Sequence, residues 1–310
     1  MSPLYLAGVD GGGTGTRVRL QCHQGHTLGE GHAGPSGLSQ GVEQAWRHVL
    51  QALAAAFCNA GLPAPPPADI ALGLGLAGAG VPAQRAAFLQ ADPGFALCVL
   101  CNDGVTQLLG AHGGGAGIVV AAGTGSVAAA RDEAGHTHQC GGWGFPVGDE
   151  GSGAWLGLQA MRHAHAVLDG REVSTTLSAA VFREAGNEPA VLLAWCAGAG
   201  AQRYAELAPL IFSAAEAGCA TAQTLLQAAA DELARLVHAL QPSSASASAS
   251  ASASAPASAG PAWLVVMSGS VGVRLAPLWP AALRARLVQA NGDSMDGALQ
   301  RVRAALKSAS

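Results

Sequence analysis

The sequence predicts an α/β protein of two related lobes, and three observations lead there. A strand, a glycine-rich turn and a second strand open the chain, and the same pattern returns 110 residues later, with Gly13-Thr14-Gly15-Thr16 echoed by Gly123-Thr124-Gly125-Ser126. Amphipathic helical stretches alternate with short, fully apolar strand-type runs. The chain has 310 residues, half of them hydrophobic, which is enough for one large core or two of ordinary size. A duplicated hairpin argues for two lobes whose turns face each other across a cleft.

The elements follow in order. Residues 4–9 are an apolar run ending in Asp10-Gly11-Gly12-Gly13-Thr14-Gly15-Thr16, and alternation resumes in Arg17-Val18-Arg19-Leu20, a hairpin pattern. A third strand is expected at 27–32. Val42, Ala45, Trp46, Val49, Leu50, Leu53, Ala54 and Phe57 recur at helical spacing opposite Glu43, Gln44, Arg47 and Gln51, giving an amphipathic helix of about five turns. Prolines at 63–67 break the chain before a buried-type strand at 69–76. Another strand, 96–101, runs into Asn102-Asp103, and 117–121 with 127–131 flank the second turn. Residues 151–240 are mainly helical, with Leu225, Leu226, Ala229, Leu233, Leu236, Val237 and Leu240 as the clearest stripe. The Ser-Ala run at 243–259 lacks side chains able to bury area and reads as a surface excursion. A strand at 263–267 then enters the tight turn Ser268-Gly269-Ser270-Val271-Gly272, and Met295, Leu299, Val302 and Leu306 form one face of a last helix. The first lobe is expected to span 1–115 together with the last helix, 295–306. The second is expected to span 116–294.

Composition excludes several classes of chemistry. Sixteen basic residues comprise fifteen arginines and a single lysine, Lys307. A P-loop lysine, a Schiff-base lysine and the protein-kinase strand lysine are therefore all missing. Any phosphate must be handled by backbone amides, hydroxyls and a metal. A net charge of −4 with scattered arginines gives no field for holding nucleic acid. No apolar run reaches membrane-spanning length, and seven cysteines without framework spacing suit a reducing cytoplasm.

Four motifs carry the chemistry. In residues 10–16, glycines let the turn approach a ligand, while backbone N–H groups and the hydroxyls of Thr14 and Thr16 offer contacts for phosphate. Asp10 stands at a strand end, where it suits Mg²⁺ held through water. A plain glycine hairpin is the bland alternative, and the echo at 123–126 weighs against it. Gly73-Leu74-Gly75-Leu76-Ala77-Gly78 matches a dinucleotide fingerprint in form, but it follows the wrong strand and reads as close packing of a strand end. Asp103 stands where active-site carboxylates gather in α/β folds and would serve as a general base. Aspartate is also a common helix N-cap, and the local sequence favours the cap. In residues 141–152, Trp143 sits among glycines and Asp149 and Glu150 adjoin before a helix, as in a binding loop. Cysteine and histidine patterns are thinner. Cys98 and Cys101 point to opposite faces of one strand, and His136, His138 and Cys140 lack a fourth ligand.

Together these residues resemble the BadF/BadG/BcrA/BcrD-type ATPase family, in its N-acetylglucosamine kinase-like and glucosamine kinase-like branch, over nearly the whole chain. Residues 10–16 look like the first phosphate motif of the actin-like ATPase superfamily, 123–126 like the second and 268–272 like the adenosine motif. The Gly-Gly-Trp-Gly…Gly-Asp-Glu-Gly-Ser stretch resembles amino-sugar kinases in particular. The resemblance implies two ribonuclease-H-like (actin-like ATPase) lobes with a central nucleotide and sugar cleft, and phosphorylation of an amino sugar at its 6-hydroxyl with ATP and Mg²⁺. It implies Asp103 as catalytic base and Asp10 as the magnesium-associated carboxylate. Gly12, Gly13, Thr14, Thr16, Gly123, Thr124 and Gly125 would meet phosphates, and Gly269 and Ser270 the adenosine. Ser36, Asp103, Ser126, Gly142, Trp143, Gly144 and Asp149 would line the sugar site. Val127 and Ser36 or Gly37 stand where mammalian N-acetylglucosamine kinases carry asparagines, leaving the sugar's 2-substituent open. The family also implies a cytoplasmic protein without nucleic-acid or membrane partners, often a homodimer. Family members that activate a partner enzyme, and non-catalytic ATP- or sugar-binding proteins, are the alternatives.

Overall fold

Two sheets organise the chain, each the centre of its own unit. The computed structural model describes residues 3–241 and 262–309, so the Ser-Ala run at 243–259 lies outside the described residues. One unit comprises Met1–Gly117, Arg131–Thr137 and Gln289–Ser310, and the other Ile118–Ala130 and His138–Val288. Among the described residues no helix is long and apolar enough to cross a membrane.

The first unit is built on strands β1 (Tyr5–Gly11), β2 (Thr16–Cys22) and β3 (Thr27–Ala33), helix α1 (Val42–Asn59), strand β4 (Ile70–Leu76), helix α2 (Pro82–Gln90), strand β5 (Leu97–Asn102) and helix α3 (Asp103–Ala111). Its sheet has the order β3-β2-β1-β4-β5. β1 pairs antiparallel with β2 and parallel with β4, and β4 pairs parallel with β5. The apolar runs of β1 and β4 are explained by this central position, which covers both faces of each strand. α1 turns Ala45, Trp46, Val49, Leu53 and Phe57 inward as the spacing predicts, but buries Ala52 and Ala56 in place of Leu50 and Ala54, which are exposed. Trp46 stacks on Phe88 with ring centroids 4.2 Å apart and donates its indole N–H to the Phe88 carbonyl at 3.0 Å.

The second unit contains β6 (Gly117–Ala122), β7 (Ser126–Arg131), β8 (Thr137–Gly141), α4 (Gly153–Leu168), α5 (Thr176–Ala185) and α6 (Pro189–Gly198). It continues with α7 (Ala201–Ala205), α8 (Ala208–Glu216), α9 (Ala220–Ala239), β9 (Val265–Ser268), α10 (Ser270–Leu275) and α11 (Ala281–Arg284). Its sheet order, β8-β7-β6-β9, repeats β3-β2-β1-β4, and β6 runs parallel to β9 as β1 does to β4. The duplication read from two short turns is thus a duplication of sheet topology. Leu226, Ala229, Leu233, Leu236 and Val237 of α9 enter one core with Ile118, Val120 and Leu156. Buried His163 of α4 meets Glu172 through Nδ1 and the Thr175 hydroxyl through Nε2, at 2.8 Å for the latter, tying α4 to the cap of α5.

The last helix, α12 (Ser294–Ala309), returns to the first unit. Its buried Leu299 and Val302 pack on Leu6 and Ala71. The Gly73/Gly75 pair makes close approach possible on this face. A Cβ on Gly73 would collide with the Ala298 carbonyl oxygen, and one on Gly75 with the Thr106 side chain of α3. The fingerprint-like glycines therefore serve helix packing. Gly73→Ala is expected to destabilise the fold by about 1–3 kcal/mol in chemical denaturation, the usual cost of overpacking. Gly12→Ala, where a Cβ meets nothing within 4 Å, is expected to stay within about 0.5 kcal/mol of wild type.

Candidate active site

In the first unit, the candidate residues gather at the carboxyl ends of β1, β4 and β5. The register places Asp10 beside Gly75 and Gly75 beside Cys101, with Gly11, Leu76 and Asn102 in the next row. Asp103 follows directly, so Asp10 and Asp103 project from strand ends about 10 Å apart across the sheet. Open α/β sheets bind ligands at this end of their parallel strands.

The first turn is held from within. The Gly12 N–H donates to the Gly15 carbonyl at 3.0 Å, and the Gly12 carbonyl accepts from the N–H groups of Ser36 and Gly37. Thr16 and Ser36 differ from expectation. Both are buried, and the Thr16 hydroxyl bonds to the Gly34 carbonyl at 2.6 Å and to Ser36 Oγ at 2.7 Å. Their hydroxyls brace the turn rather than facing a ligand. Gly12, Gly13 and Thr14 remain on its outer side.

Asp103 opens α3, yet the cap is its neighbour: Asn102 Oδ1 accepts from the Gly104 N–H at 2.9 Å. The capping role expected of Asp103 is thereby filled, leaving its carboxyl free for other chemistry. Burial pushes that carboxyl above the ordinary carboxylate range, outweighing the Gly104 N–H, and the charge of Asp10 pushes it further. A raised carboxylate opposes folding when ionised, so its relative stabilisation is complete below the unfolded value near 4 and is lost as pH rises. Asp103→Asn is therefore expected to melt at or above the wild-type temperature at pH 7, with the advantage shrinking below about pH 4. A lower melting temperature at neutral pH would contradict this.

In the second unit, the Gly123 N–H donates to the Gly125 carbonyl at 2.9 Å, closing a turn like the first. The start of α4 rests on it, with the Gly153 and Ala154 N–H groups bonded to the Gly123 and Thr124 carbonyls. Gly123, Thr124 and Ser270 line a cavity of about 270 Å³ with Gln202, Phe212 and Arg274. The Thr124 hydroxyl donates to Gln202 Oε1 at 3.1 Å, and the Arg274 guanidinium lies 3.8 Å from the Phe212 ring centroid while bonding to Glu216. Gly269, at φ 81°, turns β9 into α10 directly before Ser270.

The loop before α4 is anchored to the same turn. Ser126 is nearly buried, its Oγ donates to the Glu150 carbonyl at 2.7 Å, and its N–H donates to Asp149 Oδ1 at 3.3 Å. Ser126 thus holds the loop, its hydroxyl proton committed to the Glu150 carbonyl. Asp149 adopts φ 61°, and a Cβ on Gly125 would lie 2.8 Å from its Oδ2, so a side chain there would displace the Asp149 carboxylate. Ser152 Oγ accepts from the Trp155 N–H and caps α4. Gly142 and Gly144 take positive φ on either side of Trp143, which is 84% exposed.

Among the described residues no group of three His, Cys, Asp or Glu side chains is placed to hold a metal, and His136 pairs with Asp132. All seven cysteines are free, and burial pushes Cys98 up to about 12. Sequence reading missed Gln202, Phe212 and Arg274, which join Thr124 only through tertiary packing. It also missed Arg17, whose Nε and Nη2 donate to Asp10 Oδ2 at 3.1 and 2.6 Å. The hairpin register, which pairs Asp10 with Arg17, was the available signal.

These features define a protein of the actin-like ATPase fold, with one phosphate-type turn per sheet. The chain belongs to the BadF/BadG/BcrA/BcrD ATPase family, whose model matches residues 7–277, and ATP is accordingly its nucleotide. It is 30% identical over 295 residues to glucosamine kinase GspK of Vibrio cholerae, covering 95% of this chain and 94% of the relative. An N-acetylmuramic acid/N-acetylglucosamine kinase of Clostridium acetobutylicum is 27% identical over 235 residues, covering 74% and 76%. Among solved structures, a candidate N-acetylglucosamine kinase from Chromobacterium violaceum is similar with a TM-score of 0.86 and 41% identity, covering 97% of this chain and all of that one.

Proposed function

We propose that this chain is an ATP-dependent kinase that phosphorylates the 6-hydroxyl of an amino sugar, glucosamine or N-acetylglucosamine. One observation carries the reading. Asp103 stands at the end of β5 as a half-buried carboxyl with raised proton affinity, its helix already capped by Asn102, in a chain that aligns almost end to end with a glucosamine kinase. A base poised above the ordinary carboxylate range suits abstraction of a sugar hydroxyl proton near neutral pH.

The remaining roles follow from placement. Asp103 orients the acceptor hydroxyl and takes its proton as the oxygen attacks the γ-phosphate. The N–H groups of Gly13 and Thr14, and those of Thr124 and Gly125, present donors to phosphate oxygens without any lysine, while the Gly12 and Gly123 N–H groups close the turns. Thr124 lines the same cavity as Ser270, which with its neighbour Gly269 would meet the adenosine. Gly142, Trp143, Gly144 and Asp149 form the sugar-facing loop, held from beneath by Ser126, while Ser36 braces the first turn.

Asp10 fits Mg²⁺ as a hard oxygen donor: Oδ2 is engaged by Arg17, and no described residue donates to Oδ1. Mg²⁺ bound there would neutralise charge on the transferring phosphoryl group.

ADP release should be measured with glucosamine, N-acetylglucosamine, glucose and N-acetylmannosamine as acceptors. Turnover is expected with one of the first two and not with the others, and release indifferent to sugar would overturn the kinase reading. Asp103→Asn should bind sugar and ATP yet lose about 10²–10⁴-fold in kcat. Trp143→Ala should raise the sugar KM while leaving the ATP KM and the melting temperature unchanged, because the indole is exposed. An ATP-selective defect would remove Trp143 from the sugar site.

A further inference from the structure

Arg17 is the residue whose position the foregoing chemistry does not account for. It follows the first turn on β2, directly across the hairpin from Asp10. Its Nε and Nη2 both donate to one oxygen of that carboxylate, Oδ2, at 3.1 and 2.6 Å. Two donors converging on a single oxygen fix the rotation of the carboxylate and leave the other oxygen open. No described residue donates to Oδ1. A lysine would supply one point charge without a planar fork, and this chain has none near the turn.

Arg17 is itself steadied from behind. Its Nη1 lies 3.8 Å from Asp293 Oδ2. Asp293 stands at the start of α12, where its Oδ1 accepts from the N–H groups of Met295 and Asp296 at 3.0 and 3.2 Å. The two guanidinium Nη atoms of Arg19 also bind Asp293, one to each oxygen at 3.0 Å, and Arg19 further pairs with Glu30 and Asp296. A row of alternating charge therefore runs from α12 through Asp293 and Arg17 to Asp10. Arg19 shares the supporting cluster but does not touch Asp10, which separates support of the fold from orientation of the carboxylate.

We propose that Arg17 is the positioning residue for Asp10, holding Oδ2 so that Oδ1 faces the metal–nucleotide complex, with Asp293 of the last helix holding Arg17 in turn. The inference rests on the reading of Asp10 as the magnesium-associated carboxylate. It makes the C-terminal helix a supporting part of the phosphate site.

The test is ADP affinity, measured by calorimetric titration with Mg²⁺ and with EDTA, which does not depend on the identity of the sugar. The gain in affinity on adding Mg²⁺ should fall about 10-fold in Arg17→Met, the scale of losses on removing a residue that orients a metal ligand. Affinity in EDTA should be unchanged, and Arg17→Lys should recover only part of the gain. Arg19→Met should lower the melting temperature and keep the full gain. A full gain in Arg17→Met, or an equal loss in Arg19→Met, overturns the proposal. Asp10→Asn separates the two levels: if it keeps the gain, the metal reading of Asp10 falls and this proposal with it, whereas its loss alongside an intact Arg17→Met discards the proposal alone. Arg17→Gln, which keeps a polar side chain on the strand, covers the case in which Arg17→Met does not fold.

Discussion

The pairing of β1 on both of its edges is the constraint on which the first unit depends. Antiparallel contact with β2 sets Arg17 against Asp10, and parallel contact with β4 sets Gly75 beside the same residue. A slip of one residue in either ladder would turn Asp10 into the core and bring an apolar side chain to the ligand end. Burial of β1 and β4 on both faces makes such a slip costly, because each leucine and valine in those strands has a covered place. Hydrophobic burial thus sets the position of a charged pair to which it contributes no contact.

The second sheet repeats this geometry and departs from it in what surrounds the turn. β6 and β9 stand as β1 and β4 do, yet helices α4–α11 bring Gln202, Phe212 and Arg274 around the second turn. The first turn instead carries the carboxylates, Asp10 beside it and Asp103 two strands away. The duplicated scaffold differs in its surroundings: a cavity holding the Phe212 ring and Arg274 beside the second turn, and Asp10 and Asp103 at the strand ends of the first sheet. The chain belongs to an ATPase family with one lysine in its whole sequence, and each sheet carries a glycine turn rich in backbone N–H groups.

Hydroxyls near the site are mostly engaged in holding it together. Thr16 and Ser36 bond to each other beneath the first turn, and Ser126 fastens the Asp149–Glu150 segment to the second. Such internal bonds, each worth about 1 kcal/mol net, matter here less for stability than for fixing loops that are too rich in glycine to hold a shape alone. Asp103 shows the opposite economy: burial raises its proton affinity, so its charge opposes folding.

Local pattern determined the elements and several of the ligand-facing turns. Period-two and period-3.6 spacing located β1–β5 and α1, because strand and helix geometry impose those periods on any buried face. The loop at 141–152 was legible for a similar reason, since Gly141, Gly142, Gly144 and Gly151 take the positive φ that glycine adopts freely. Contacts between distant segments were not legible. That Thr16 and Ser36 face inward and that Arg274 reaches Phe212 are decided by packing between segments up to scores of residues apart. Residue type records what a side chain can bond to. Which partner it finds is settled only when the sheet and its covering helices close around it.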